Sequence, residues 1–240
     1  WSAGVYPSGR YVVLYDGEGT LEYVFGWRKL AAESSPGRDV VEASGTQGSF
    51  GLFLTATNPA NHLRNIRVLM PGGVCGSDAF VRAAAASDCV AGNFRSFEQV
   101  HSTLIFNPLF LERTRQYKVL RFMDWMEATK DNQDGTWAGR ARLTDARWTD
   151  QGGVPLEVLI ALANRLNAYP WFSLPHRADD DYVRNFAQTV RDQLAPALKV
   201  YLEYSNETWN PDYAAAAYAE AQAQARGIAV PGDAYPSRIR

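Results

Sequence analysis

The sequence is short of several features that would narrow its chemistry at once. It has two cysteines, three histidines and three methionines in 240 residues. The histidines are scattered and no HExxH pair occurs, so a zinc site has no ligand set to build on, and no metal or cofactor is expected. A Gly-rich phosphate loop of the dinucleotide type is missing, and so is a serine nucleophile elbow, which leaves esterase chemistry without support. Excess charge of one sign is missing too. Lys and Arg total 24 against 26 Asp and Glu, a net charge of −2, whereas nucleic-acid binding needs a concentrated basic face. No apolar run approaches the roughly 18 residues of a membrane span.

What the chain does carry is aromatic surface. It is 12% Phe, Trp and Tyr, with seven Trp and twelve Tyr. Flat indole and phenol faces suit the apolar faces of sugar rings, although large core residues are the simpler account of any single one. Cys75 and Cys89 flank a short Gly- and Ala-rich stretch, where a disulfide would close a modest surface loop and fit a secreted, oxidising context. Two unpaired buried thiols are the alternative. The chain starts at Trp1 without a signal peptide, as a mature or trimmed protein would.

Periodicity divides the sequence. Residues 1–65 are expected to form a β-rich, sandwich-like domain. "GRYVVLYDGEGTLEYVFG" reads as two strands around Asp16-Gly17-Glu18-Gly19, and "GRDVVEAS" and "SFGLFLTATN" follow with Gly, Pro and Asn between them. After "NIRVLMPGG" apolar strands alternate with amphipathic helices. "NPLFLERTRQY" is a helix capped by Asn107 with Pro108 in its first turn, and "KVLRFMDW" is a strand. After a polar loop over 127–153, Leu156, Leu159, Ile160, Ala163 and Leu166 mark one helical face. "PWFSLPH" is the next strand. Asp179, Asp180 and Asp181 open a helix with a Tyr182–Phe186–Val190–Leu194 stripe; cap and dipole stabilisation accounts for them more simply than a cation site. "KVYLEYSNETW" is a further strand, and "PDYAAAAYAEAQAQARG" a helix that Gly227 can end. This alternation predicts a parallel sheet over 66–240, as an open doubly wound sheet or a (β/α)₈ barrel. Polar and aromatic groups at successive strand ends (Asp124-Trp125, His176, Asn206-Glu207) favour the barrel.

"VYLEYSNETWN", residues 200–210, begins as an alternating strand and ends on an amide, a carboxylate and an indole. A carboxyl in a partly apolar pocket holds its proton near neutrality and can give it to a departing sugar oxygen. A neighbouring Asn can hydrogen-bond the sugar 2-hydroxyl as an oxocarbenium-like transition state forms. Taken alone, Glu207 reads most simply as a solvated loop acid; the end of an apolar strand is what singles it out. The sequon Asn206-Glu207-Thr208 overlaps this position and is read as accidental.

These residues resemble the clan of (β/α)₈ retaining glycoside hydrolases that contains cellulases, mannanases and xylanases. "EYSNE" looks like its fourth-strand signature, "VLRFMDW" like its second strand and "WFSLPH" like its third. The run from Gly153 to Asn210 is similar to bacterial secreted proteins labelled cellulose-binding. The resemblance implies Glu207 as general acid/base, Asn206 beside it, Arg121 supporting the nucleophile and His176 in the cleft. Trp125, Trp137, Trp209 and Tyr204 are candidate sugar platforms beside Asp124. Two alternatives stay open: Arg121 could simply pair with Glu203, and His176 could be a turn residue after Pro175. The clan's nucleophile is a Glu on the seventh strand, so the chain is expected to be the N-terminal half of a barrel completed by a separate piece, ending at a tryptic-type site at Arg238 or Arg240. Glu127 is the only local candidate for a second carboxylate. The implied activity is hydrolysis of a β-linked polysaccharide outside the cell; a non-catalytic carbohydrate-binding or structural surface protein is the alternative.

Overall fold

The computed structural model describes residues 6–44, 50–131, 133–149 and 152–228. The expectations about Trp1 and about the chain end at Arg238 and Arg240 lie outside them. The chain forms two compact units, 1–112 and 113–240, so the strands just after residue 65 group with the first.

The first unit contains β1 (Gly9–Asp16), β2 (Gly19–Val24), β3 (Trp27–Lys29), β4 (Arg38–Ala43), β5 (Gly51–Thr57) and β6 (Arg64–Leu69). They make a four-stranded antiparallel sheet in the order β3-β4-β1-β6 and a two-stranded sheet, β2-β5. Period-2 alternation turns Tyr11 and Val13 of β1 inward, where they meet Val41 and Ala43 of β4, Leu21 of β2 and Trp27 of β3 in one core. The two strands read around Asp16-Gly17-Glu18-Gly19 therefore exist but pair in different sheets. Gly17 makes the turn possible: its φ is +83°, and a Cβ there would stand 2.0 Å from the His62 carbonyl oxygen. Asp39 is 1% exposed in this core. Its charge is offset by Lys29 Nζ at 2.7 Å and by the Tyr23 hydroxyl, which donates at 2.8 Å.

A second antiparallel set, β7 (Gly73–Cys75), β8 (Arg82–Ala83) and β9 (Phe94–Ser96), has the order β8-β7-β9. It leads into the short α1 (Phe97–Val100), capped by Ser96. Cys75, at the end of β7, is disulfide-bonded to Cys89, which lies between β8 and β9, and α2 (Pro108–Thr114) follows, with Leu109 N–H donating to Asn107 Oδ1 at 2.9 Å.

The second unit holds β10 (Val119–Arg121), α3 (Leu156–Leu166), β11 (Tyr169–Leu174), α4 (Asp180–Gln193), β12 (Tyr201–Tyr204) and α5 (Ala214–Ala225). The strands form a parallel sheet in the order β10-β11-β12. The expected α3 stripe is buried. Asp179 caps α4 by accepting from Tyr182 N–H at 2.6 Å, and Asp180 and Asp181 sit in the first turn. Gly227, at φ +67°, follows the end of α5.

The (β/α)₈ expectation, whole or half, is overturned. Among the described residues there are three parallel strands, several small antiparallel sheets and five α-helices. The segment expected as the barrel's first strand, β6, pairs antiparallel with β1. Its docking against β1, with Val12, Val13 and Leu14 opposite Leu69, Val68 and Arg67, decides the direction. In that pairing β6 lies at the edge of the antiparallel sheet and leaves Arg64, Asn65 and Arg67 exposed.

The disulfide closes a loop of 14-residue separation, which by chain entropy stabilises by about 3 kcal/mol. Cys75→Ser/Cys89→Ser should lower the unfolding free energy of this unit by about that amount, measured by denaturant titration against the oxidised protein.

Candidate functional site

Parallel pairing sorts the side chains of the second unit. Arg121 is in register with Trp171, and Ser173 with Glu203. Strand alternation therefore puts Arg121, Trp171, Ser173, Tyr201 and Glu203 on one face, while Phe172 turns to the other and packs on Phe122 and Phe186.

Arg121 organises the polar face. Its Nε donates to Glu203 Oε2 at 3.2 Å and its Nη2 to both carboxylate oxygens, at 3.1 and 2.9 Å. The same Nη2 donates to Asn206 Oδ1 at 2.8 Å. The guanidinium carbon lies 5.1 Å from the Trp171 ring centroid, and the Ser173 hydroxyl donates to Glu203 Oε2 at 3.3 Å. A guanidinium has donors only, so the amide oxygen of Asn206 must face it and the amide NH₂ must face the other way. The Arg121–Glu203 pairing left open by the sequence is present, and it extends to Asn206.

β12 ends in a strained corner. Ser205 donates its N–H to Leu174 O at 2.8 Å, and its hydroxyl to Ala128 O at 3.2 Å. Ser205 and Glu207 have φ of +55° and +44°, the left-handed region that costs a non-glycine residue roughly 1–2 kcal/mol. Asn206, between them, is 3% exposed. Strain of this kind concentrates at functional positions.

Glu207 itself is exposed. Its Oε2 accepts from Asn210 Nδ2 at 3.0 Å, and it is bonded to neither Arg121 nor His176. The partly apolar pocket expected around it is not formed, because the corner that buries Asn206 turns the next side chain outward. Glu127 is buried, in an ion pair with Lys130.

His176, just beyond β11, is 5% exposed. Its Nε2 lies 3.1 Å from Asp131 Oδ1, and its ring meets the edge of Tyr218 at 5.4 Å. Burial lowers the imidazole pKa, with Asp131 opposing the shift. Arg177 grips the same carboxylate, Nε to Oδ1 at 2.8 Å and Nη2 to Oδ2 at 3.0 Å, and these bonds hold Asp131 below the usual carboxylate range. The Tyr204 hydroxyl donates to the His176 carbonyl at 2.9 Å; burial raises its pKa. His176 is thus a member of a polar cluster rather than only a turn residue.

The expected aromatic platforms part company. Trp125 and Trp209 are 39% and 52% exposed, and Asp124 is exposed beside Trp125. Trp137 is committed elsewhere, under the Arg140 guanidinium at 4.1 Å and edge-on to Tyr182. Sequence reasoning missed Asp131, Arg177, Tyr218, Ser173 and Trp171. Trp171 and Ser173 could have been found by extending the alternation of β11, whereas Asp131 sits in an aperiodic loop and carries no local signal.

Arg121 and Glu203 side chains are 37% and 28% exposed, so the ion pair itself contributes at most about 1 kcal/mol. The buried Asn206 oxygen matters more, because leaving it without a partner costs about 1–3 kcal/mol. Arg121→Met should destabilise the protein by that full cost. Arg121→Lys should recover only part of it, since an ammonium cannot serve both groups in the same fork geometry. Urea unfolding of the two variants checks this. Comparison with known proteins adds no assignment: no family model, no curated protein and no solved structure matches the chain.

Proposed function

We propose that the protein is a retaining glycoside hydrolase acting on a β-linked polysaccharide, cellulose or a related β-glycan, in an oxidising extracellular setting. The observation that carries this reading is the orientation of Asn206. With its oxygen bonded to Arg121, its amide NH₂ is the group left to donate to a sugar hydroxyl, one residue before a carboxyl at the end of β12. Glu207 is the general acid: its proton passes to the glycosidic oxygen as the bond to the anomeric carbon breaks. Its carboxylate then takes a proton from the water that releases the sugar. Retention needs a second carboxylate about 5–5.5 Å away. Glu203 is engaged by Arg121, and we assign the nucleophile to chain outside the described residues. Trp125 and Trp209, both partly exposed, are the indoles we assign to sugar rings. The disulfide and the absence, among the described residues, of a helix long and apolar enough to cross a membrane are compatible with the setting.

A second reading, carbohydrate binding without chemistry, is favoured by the exposure of Glu207 and its bond to Asn210. Glu207→Gln separates the two. Hydrolysis predicts that the variant still binds glycan but turns over about 10²–10⁴-fold more slowly, with a smaller loss on substrates whose leaving groups need little protonation. Unchanged turnover of an unactivated glycan would exclude Glu207 as the acid. Binding alone predicts no turnover in either protein and weaker retention on cellulose for Trp125→Ala and Trp209→Ala.

A further inference from the structure

The Asp131–Arg177–His176 cluster has a defined proton arrangement with a consequence for what His176 can do. We infer that Asp131, held by Arg177, is a positioning residue that keeps the His176 proton on Nε2, so that Nδ1 serves as a hydrogen-bond acceptor for a hydroxyl of the bound glycan. The proton's location rests on geometry alone; the role of Nδ1 toward glycan rests on the function proposed above.

The proton's place follows from donor and acceptor chemistry. Arg177 reaches both oxygens of Asp131, at 2.8 and 3.0 Å, so the carboxylate is ionised and can only accept. His176 Nε2, 3.1 Å from Oδ1, must then be the donor. A neutral imidazole carries one N–H, so Nδ1 is left bare. A lone Asp would also stabilise the imidazolium, which has no acceptor nitrogen. Arg177 counters this, because its cation shares the carboxylate and disfavours a second positive charge beside it, and the burial of the ring acts in the same direction. The groups facing the imidazole are Asp131 from the 122–131 loop, Arg177 beside it in sequence and the Tyr218 ring of α5. Tyr204 of β12 fixes its backbone through the carbonyl. His176 also lies at the β11 end that joins the Ser205–Glu207 corner, through Ser205 N–H on Leu174 O. That is the end of the sheet where Asn206 presents its NH₂. One amide donor and one imidazole acceptor at the same end form a complementary pair for sugar hydroxyls, each of which both donates and accepts.

Long-range proton–nitrogen correlation spectra of protein labelled with ¹⁵N-histidine test the proton's location, the His176 signal being assigned by its loss in His176→Gln. The expected wild-type pattern is the Nε2–H tautomer alone at neutral and alkaline pH. Asp131→Glu, whose carboxylate can still accept from both donors, should retain it; Asp131→Ala should give a tautomer mixture. Arg177→Met should raise the pH at which His176 takes up its second proton. A wild-type proton on Nδ1, or an unchanged spectrum in a folded Asp131→Ala protein, overturns the assignment. Calorimetric titration with cellohexaose tests the acceptor role. Asp131→Ala should bind about 3- to 10-fold more weakly, the size of one neutral hydrogen bond, with Asp131→Glu near wild type. Equal affinity in all three proteins overturns the acceptor role while leaving the tautomer assignment to the spectra. If wild type does not bind cellohexaose, the proposed glycan function and the acceptor role fall together, again without touching the tautomer.

Discussion

A guanidinium that can only donate sets the polar arrangement at the end of the parallel sheet. Arg121 reaches Glu203 and Asn206 with one planar fork, and each contact constrains the next. The carboxylate of Glu203 is drawn toward β10, where the Ser173 hydroxyl of β11 completes it, so a single side chain ties polar groups of all three strands. The amide of Asn206 has no freedom to flip, since its NH₂ would meet a donor. At this exposure the pair adds little as an ion pair. Its contribution is orientation.

That orientation is held by a backbone under strain. Ser205 extends the β11–β12 ladder by one hydrogen bond and is anchored by Ala128 O through its hydroxyl. The chain then passes through two left-handed residues on either side of Asn206. Glu127, at φ +51° in the loop after β10, belongs to the same pattern. Near it Gly153 lets the chain approach so closely that a Cβ would stand 2.1 Å from Trp125 O. Three non-glycine residues in this region, all beyond strand ends of one sheet, cost several kcal/mol together. The surrounding contacts compel them: a buried hydroxyl, a ladder bond and a glycine-dependent crossing. The outcome is a buried amide beside an exposed carboxyl.

The first unit is built on the opposite plan. Its strand β1 alternates buried and more open positions, as antiparallel sheets with a solvated side do, and its core closes on Trp27, Tyr11 and their neighbours. The one buried carboxylate described there, Asp39, is surrounded by Lys29 and tyrosine hydroxyls, a neutralised group rather than a reactive one.

Local patterns in the sequence determined most of the elements by themselves. Helices α3 and α4 follow from their apolar stripes, the α4 start from the Asp179 cap, the α5 end from Gly227 and the parallel strands from short apolar runs bounded by helices. The cysteine spacing was compatible with a bridge, and the bridge is there. Each of these depends on side chains a few residues apart, where propensity and periodicity act directly. Pairing partners were decided by tertiary structure. β6 carries an apolar run that reads like a parallel strand, and only the docking of β1 beside it, with Arg64 and Arg67 left outward, made it an antiparallel edge. The exposure of Glu207, the committed position of Trp137 and the Asp131–His176 contact likewise bring together residues separated by long stretches of chain. A one-dimensional pattern records which face a side chain prefers, but not which distant group will occupy the space in front of it.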